Sequence, residues 1–169
     1  MQDFADASRS GSAAMTPEVA AESELLTAFF KQFPFFQIFG MEPVEFAPGR
    51  SVLRMAFRDD LTQPAGVLHG GVIATITDTG MAHAVLLTDM YRSLRSRGGS
   101  IVSVDLRVKY LRPVSGGSIT AISTAPKIGS RIIHTESLVL NDAGKEVARA
   151  DAIFMAVEGK QLQAKESGG

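Results

Sequence analysis

Residues 62–88 have the sequence TQPAGVLHGGVIATITDTGMAHAVLLT, in which Asp78 is the only formally charged side chain. Four glycines and several polar side chains interrupt this run too often for a membrane span. Its β-branched residues would suit a strand, but its length and the alanines and leucines near its end favour a helix. We therefore predict a buried helix that begins near Gly70.

Asp78 would lie on an apolar face of this helix. The residues three and four positions away include Ala74, Met81 and Ala82. A carboxylate in such surroundings is costly to ionise and is rarely buried without a partner. Two interpretations fit equally well: a catalytic carboxylate, or a structural one bonded to a neighbouring Ser, Thr or backbone amide.

The pair Gly70-Gly71 marks the start of the helix. The first amides of a helix have no intrahelical acceptor and lie at the positive end of its dipole, so they suit an oxyanion. Glycine also lets a ligand approach the backbone. Taken alone, a tight turn between a strand and a helix is the commoner reason for such glycines.

The spacing of these residues predicts a dimer. Gly70 and Asp78 are eight residues apart, about 12 Å along one helix, which is too far for both to act on one carbonyl group. Two copies packed antiparallel would bring the helix start of one subunit near the carboxylate of the other. We therefore predict an obligate dimer with two equivalent sites.

The rest of the chain predicts one antiparallel sheet against which the helix packs, an α+β architecture. Alternation of apolar and polar side chains predicts strands at residues 51–58, 101–111, 118–125, 131–140 and 146–157. Asn141-Asp142-Ala143-Gly144 joins the last two as a hairpin, with Gly144 free to adopt a positive φ.

Residues 101–111 are expected to have one apolar and one polar face. The apolar face would comprise Val102, Val104, Leu106, Val108 and Tyr110. The polar face would comprise Ser103, Asp105, Arg107 and Lys109.

The N-terminal part predicts a tail, a helix and an aromatic segment. Residues 1–16 have few apolar anchors and are expected to be disordered. A helix should begin at Pro17, with its apolar residues along one face. This helix leads into the phenylalanine-rich residues 29–39. These phenylalanines are expected to be core or interface packing, with a lid over an acyl chain as the alternative. We expect one domain at residues 17–158 and a flexible tail at 159–169.

Composition excludes several classes of function. Seventeen basic and 18 acidic residues leave a net charge of −1, which disfavours nucleic acid as a partner. The chain has no cysteine, so it has neither a disulfide nor a thiol nucleophile, which fits the cytoplasm. We find no targeting signal and expect no membrane insertion. His83 and His134 have no companions at metal-ligand spacing, so we predict no metal.

The run Gln63-Pro64-Ala65-Gly66-Val67-Leu68-His69-Gly70-Gly71, with Asp78 seven positions further on, resembles the active-site signature of hotdog thioesterases. It is most similar to the group that includes the phenylacetate-pathway thioesterases and the mammalian thioesterase superfamily members. The resemblance extends from about Phe35 to Val157. It implies a hotdog fold, in which an antiparallel sheet wraps around the long helix, and a homodimer that pairs further into a dimer of dimers.

The resemblance also implies roles for single residues. Gly70 would donate its amide to the thioester oxygen, and the partner's Asp78 would act as base or nucleophile. Ser103 matches a serine that positions the water, and His69 would shape the helix start. Gln63 stands where this group usually has Asn, so its amide is expected to orient substrate or water. Gly71 would contact the substrate.

Basic residues are candidates for the coenzyme A phosphates. They comprise three arginines in a predicted loop at residues 91–100 and three cations along the strand that follows: Arg92, Arg95, Arg97, Arg107, Lys109 and Arg112. Ordinary solvated side chains are the alternative for each of them.

The predicted function is hydrolysis of an acyl-CoA with a medium-chain or aromatic acyl group, without a cofactor. A non-catalytic acyl-CoA binding or sensing protein is the alternative. Hydration of an enoyl-CoA is a third possibility, although the expected arrangement of His and acid is not matched. No Gly-x-Ser-x-Gly elbow is present to support a serine hydrolase.

Overall fold

The computed structural model describes residues 15–159, so the predicted tails lie outside the described residues apart from residues 15, 16 and 159. The helices within this range are α1 (Pro17–Gln32), α2 (Pro34–Phe39), α3 (Gly70–Leu86) and α4 (Asp89–Ser96). The strands are β1 (Met41–Ala47), β2 (Arg50–Ala56), β3 (Ser100–Tyr110), β4 (Ser118–Ile128), β5 (Ile132–Asn141) and β6 (Glu146–Val157).

The six strands form one antiparallel sheet in the order β1-β2-β4-β5-β6-β3. Helix α3 lies against this sheet and contacts all of its strands. The predicted α+β architecture and the helix beginning at Gly70 are confirmed. The hairpin between β5 and β6 is also confirmed, and Gly144 has a φ of 70°.

Helix α3 approaches the sheet closely at Gly80. A Cβ atom at this position would lie 2.5 Å from Ser123 Oγ, so only glycine fits without a shift of that buried side chain. Ser51 of β2 donates a hydrogen bond of 2.6 Å to the carbonyl oxygen of Gly80. The small residues therefore bring the helix and the centre of the sheet into direct contact.

Strand β1 was not predicted, because its sequence lacks regular alternation. Pro43 lies within it, and the register shifts between Pro43 and Glu45. Both features suit a strand at the edge of a sheet, where a missing amide donor and an extra residue are tolerated. The first predicted strand, at residues 51–58, is therefore the second strand of the sheet.

The predicted loop at residues 91–100 is wrong. Helix α4 occupies most of this segment, and Thr88 caps it by accepting a hydrogen bond from the amide of Tyr91. Thr88 and Asp89 are typical residues for a helix start. Only residues 97–99 connect this helix to β3.

The aromatic segment is divided between the core and the surface. Phe30 is fully buried, and Phe36 and Phe39 pack against the same core. Phe29, Phe33 and Phe35 are 58%, 41% and 44% exposed. Core packing therefore explains the three buried or partly buried rings, and the three exposed rings are available for contacts beyond this chain.

His83 is buried on α3 within a group of phenylalanine rings. Its ring stacks on Phe46 at 5.1 Å and meets Phe30 and Phe36 edge-on. The ring nitrogen Nδ1 lies 2.7 Å from the carbonyl oxygen of Thr79 and donates to it, since a carbonyl only accepts. Burial lowers the pKa of His83 to about 4, because the aromatic surroundings disfavour the charged imidazolium.

The buried histidine predicts a loss of stability in mild acid. The unfolded chain takes up a proton near pH 6.5, whereas the folded chain does so only near pH 4, so acid favours unfolding. The stabilising contribution of the neutral His83 is present above about pH 6.5. As the pH is lowered from 7.5 to 5, the free energy of unfolding should therefore fall by about 2 kcal/mol. Urea unfolding at fixed protein concentration would measure this change. His83→Gln should remove that part of the pH dependence, and His134→Gln, at an exposed position, should keep it.

Candidate active site

Strand β3 contains a bulge that directs Ser103 toward α3. Ser103 is paired with Phe154 of β6, whose side chain belongs to the core. Asp105 is paired with Ile153, so Val104 is the extra residue. The predicted face of Ser103 is wrong, because the bulge places it on the helix side, whereas Asp105 lies with Arg107 on the outer face as predicted.

Ser103 and Asp78 are brought together by this geometry. The hydroxyl group of Ser103 donates a hydrogen bond of 2.9 Å to Asp78 Oδ1. Asp78 is half-buried, because the strand beside it is at the edge of the sheet and is itself mostly exposed. The expected fully buried carboxylate is therefore not found within one subunit, although its predicted need for a polar partner is met by Ser103.

The start of α3 leaves one amide free. His69 is the N-cap residue, and its Nδ1 accepts a hydrogen bond of 2.9 Å from the amide of Gly71. Nδ1 therefore carries no proton in this arrangement, and the neutral ring has its proton on Nε2. Within residues 15–159 the amide of Gly70 has no hydrogen-bond acceptor. The donor available at this helix start is the amide of Gly70.

A groove of about 520 Å³ lies at this helix start. Its lining includes the predicted residues Gln63, His69 and Gly70. It also includes Arg112, a predicted candidate for the coenzyme A phosphates, and Tyr110, whose role the sequence did not indicate. The only sequence signal for Tyr110 was its place at the end of an alternating strand. The groove therefore has one wall from the loop before α3 and another from the end of β3.

The site consists of two separate parts within one subunit. Gly70 and Asp78 lie on the same continuous helix, so their backbones are about 12 Å apart. Asp78 and Ser103 do not line the groove at Gly70. The structure therefore brings together Gly70 with His69 and Gln63, and Asp78 with Ser103.

Two of the predicted cations are engaged by neighbouring side chains. Arg92 pairs with Glu22 at 2.6 Å and with Asp89 at 2.8 Å. Its pKa is raised above the ordinary value, chiefly by the hydrogen bond to Glu22. Arg97 bonds to Ser93, and both lie on or just after α4. Arg95 is exposed near the end of the same helix.

Two further predicted cations, Arg107 and Lys109, lie on the outer face of the sheet. Val108 between them packs into the core, so the side chains of both neighbours point away from α3. Arg107 pairs with Asp151 at 2.5 Å on this outer face. Within one subunit the sheet therefore separates Arg107 and Lys109 from Gly70.

Two further findings concern metals and membranes. Among residues 15–159, no three His, Asp or Glu side chains are grouped so as to hold a metal ion. In the same range, no helix by itself combines the length and apolarity needed to cross a membrane. Helices α3 and α4 meet such a test only when taken together, and they are bent by 82° at their junction.

Comparison with known proteins identifies one family of similar sequences. The sequence pattern of the thioesterase superfamily matches residues 65–148. Human acyl-coenzyme A thioesterase 13 is 30% identical over 138 residues, which cover 80% of this chain and 94% of that protein. The medium/long-chain acyl-CoA thioesterase YigI of Escherichia coli is 29% identical over 141 residues, covering 75% of this chain and 88% of that protein.

A solved structure supports the fold. A variant of the phenylacetic acid degradation protein PaaI from Thermus thermophilus superimposes with a TM-score of 0.64. It covers 73% of this chain and 98% of that one at 24% sequence identity. At this identity the likeness concerns the arrangement of the sheet and the long helix.

Proposed function

The chain belongs to the thioesterase superfamily as a hotdog acyl-CoA thioesterase, and we propose that Gly70 and Asp78 carry out the hydrolysis at sites shared by two subunits. The observation that carries this proposal is the free amide of Gly70 at the start of a 17-residue helix, inside a groove. Such an amide can stabilise the negative charge that develops on the thioester oxygen.

Asp78 would complete the reaction from the other subunit. Its carboxylate either takes a proton from the attacking water or attacks the carbonyl carbon itself. In the first case water adds to the carbonyl carbon, the bond from this carbon to sulfur breaks, and the proton taken by Asp78 passes to the departing CoA sulfur. In the second case CoA leaves as a thiolate, and water then hydrolyses the mixed anhydride to release the acid and restore the Asp78 carboxylate. Ser103 donates a hydrogen bond of 2.9 Å to Asp78 Oδ1, which would orient the carboxylate and leave Oδ2 for the reaction.

The edge of the sheet supports the proposed dimer. Strand β3 is the last strand on its side of the sheet. Val102, Val104 and Leu106 on it are 36%, 51% and 37% exposed, and Asp78 on the adjacent helix is half-exposed. Proteins normally cover an apolar edge strand of this kind. Antiparallel pairing of β3 with β3 of a second copy would cover it and bring each Gly70 toward the partner's Asp78.

The exposed apolar side chains of α1 and α2 offer a second contact surface. Leu25, Phe29 and Ile38 are 72%, 58% and 63% exposed. We propose this surface for the pairing of two dimers, which would give the predicted dimer of dimers. Light scattering would measure the mass, and charged substitutions at these positions should reduce it to that of a dimer.

Arg112 is the cation best placed to receive a coenzyme A phosphate. It lines the groove at Gly70, and one of its terminal nitrogens donates to the carbonyl oxygen of Glu146, which fixes its direction. Arg107 and Lys109 face the other side of the sheet. Of the basic side chains on and after β3, Arg112 therefore fits this role best.

The substrate class can be tested directly. The protein is incubated with short-chain, medium-chain, long-chain and aromatic acyl-CoAs, and release of free thiol is followed. Turnover should be fastest with a medium-chain or aromatic acyl group. Saturable binding of these compounds without thiol release would contradict hydrolysis and favour the non-catalytic binding protein.

The role of the Gly70 amide predicts a large effect of one substitution. Gly70→Pro should lower kcat about 10²- to 10³-fold, the usual effect of losing one oxyanion donor. Proline suits the first position of a helix, and the preceding His69 has an extended backbone with ψ 135°, which proline also requires. The substitution therefore removes the donor and keeps the helix. Thiol release measures kcat, and circular dichroism checks the helix content.

Gly70→Ala is the matched control for this substitution. It adds a Cβ atom 3.2 Å from Tyr110 Cζ, as proline does, but it retains the amide. We expect a loss of less than about tenfold, since only a small displacement is needed. Equal losses for the two variants would assign the effect to crowding and contradict the role of the amide.

A further inference from the structure

We infer that Tyr110 is a positioning residue for the thioesterase reaction, because it holds the peptide group next to the Gly70 amide in place. This inference rests on the proposed role of that amide. Tyr110 is at the end of β3 and is 54% exposed, with its ring forming part of the wall of the groove.

The peptide unit between Gly70 and Gly71 is bonded at both of its ends. The hydroxyl group of Tyr110 donates a hydrogen bond of 3.0 Å to the carbonyl oxygen of Gly70. The amide of Gly71, which belongs to the same peptide unit, donates to His69 Nδ1 at 2.9 Å. Two side chains from different elements therefore fix the orientation of one planar group.

This double attachment compensates for the freedom of two consecutive glycines. Glycine has the greatest backbone freedom, and the first turn of a helix is prone to fraying. An oxyanion donor must nevertheless be held close to its productive position, because a displacement of about 1 Å costs a large part of the rate. The Gly70 amide is joined through the α-carbon of Gly70 to the peptide unit between Gly70 and Gly71. Because Tyr110 and His69 hold that peptide unit in place, they limit the directions in which the amide can point.

The Tyr110 ring also restricts Gly70 directly. A Cβ atom on Gly70 would lie 3.2 Å from Tyr110 Cζ and 3.4 Å from the hydroxyl oxygen. The ring therefore lies close to Gly70 and limits the displacement of its α-carbon toward β3. Strand β3 contacts both parts of the site, through Ser103 at Asp78 and through Tyr110 at Gly70.

Tyr110→Phe tests this inference, because it removes the hydrogen bond and keeps the ring. We expect kcat for a fixed acyl-CoA to fall about fivefold, the rate equivalent of one neutral hydrogen bond. KM and the affinity for free CoA should change by less than about twofold, and the thermal unfolding midpoint should be unchanged. A purely structural role would instead lower that midpoint and leave kcat of the folded enzyme intact.

Tyr91→Phe is the matched control, since Tyr91 is the only other tyrosine of the chain and lies on α4. It should leave kcat and KM unchanged. Wild-type kcat in Tyr110→Phe, or an effect confined to KM, would overturn the inference. Asp78→Asn assayed in parallel distinguishes a failure of the proposed active site from a failure of the role of Tyr110. If it remains active, the proposed site itself fails; if it is inactive while Tyr110→Phe has wild-type kcat, only the role of Tyr110 fails.

Discussion

Asp78→Asn is expected to lower kcat for acyl-CoA hydrolysis about 10³-fold, within the range of losses for a general base. Asparagine has nearly the shape of aspartate, and its amide oxygen can still accept the hydrogen bond from Ser103. It can neither take a proton from water nor attack a carbonyl group effectively. The loss should therefore fall on kcat, with KM changed by less than about twofold.

Thiol release under saturating substrate measures this loss. Asp89→Asn is a suitable control, because Asp89 is a 97% exposed carboxylate on α4 whose partner is Arg92. It should retain wild-type kcat. An Asp78→Asn variant with more than about a tenth of wild-type activity would show that the carboxylate of Asp78 is structural, which is the alternative that its bond to Ser103 also fits.

A single turnover in labelled water distinguishes the two possible roles of an active Asp78. If the carboxylate attacks the carbonyl carbon, hydrolysis of the resulting anhydride can leave labelled oxygen in Asp78. If it activates water, the label enters only the released acid. Mass spectrometry of the peptide that contains Asp78 measures the difference.

The central helix could be predicted because one property of the sequence is nearly uniform over residues 62–88. A long segment with almost no charged side chains is expected to be buried, and a buried segment of this length between strands is expected to be a helix. The helix start at Gly70 followed from the glycine pair, and the last strand of the chain followed from the clear alternation in residues 146–157. These features depend on local pattern, which one sequence contains in full.

The features that were missed depend on irregularity or on distant contacts. Strand β1 contains a proline and a register shift, and β3 has an extra residue at Val104. A bulge reverses the alternation, so a pattern that is correct for Leu106 and Val108 after the bulge gives the wrong face for Ser103 before it. Tyr110 reaches Gly70 across 40 residues of sequence, and no local pattern indicates that contact.

The proposal of a site shared by two subunits could be made from the sequence because it depends on a length. A helix rises about 1.5 Å per residue, so the eight positions between Gly70 and Asp78 correspond to about 12 Å along one helix, whatever the details of packing. The edge position of β3, which the sequence did not identify, offers a surface on which the proposed second copy would pack. Shared sites therefore make a prediction about mixtures of inactive subunits that sites within one subunit do not make.

Co-expression of Asp78→Asn and Gly70→Pro subunits in equal amounts is expected to restore about a quarter of wild-type activity. Each variant alone should have about 1% or less. In a mixed dimer, one site combines the intact Gly70 of the first subunit with the intact Asp78 of the second, and the other site carries both defects. Random pairing makes half of the dimers mixed, and half of their sites are intact, which gives the quarter.

The contrast with unshared sites makes this outcome informative. If Gly70 and Asp78 acted within one subunit, every site in the mixture would carry one defect, and activity would stay at the level of the parents. Co-expression of Asp78→Asn with Asp78→Ala is the control, because no combination of these subunits contains an intact carboxylate. Restoration in the first mixture and none in the second would place the thioester carbonyl between the helix start of one subunit and the carboxylate of its partner.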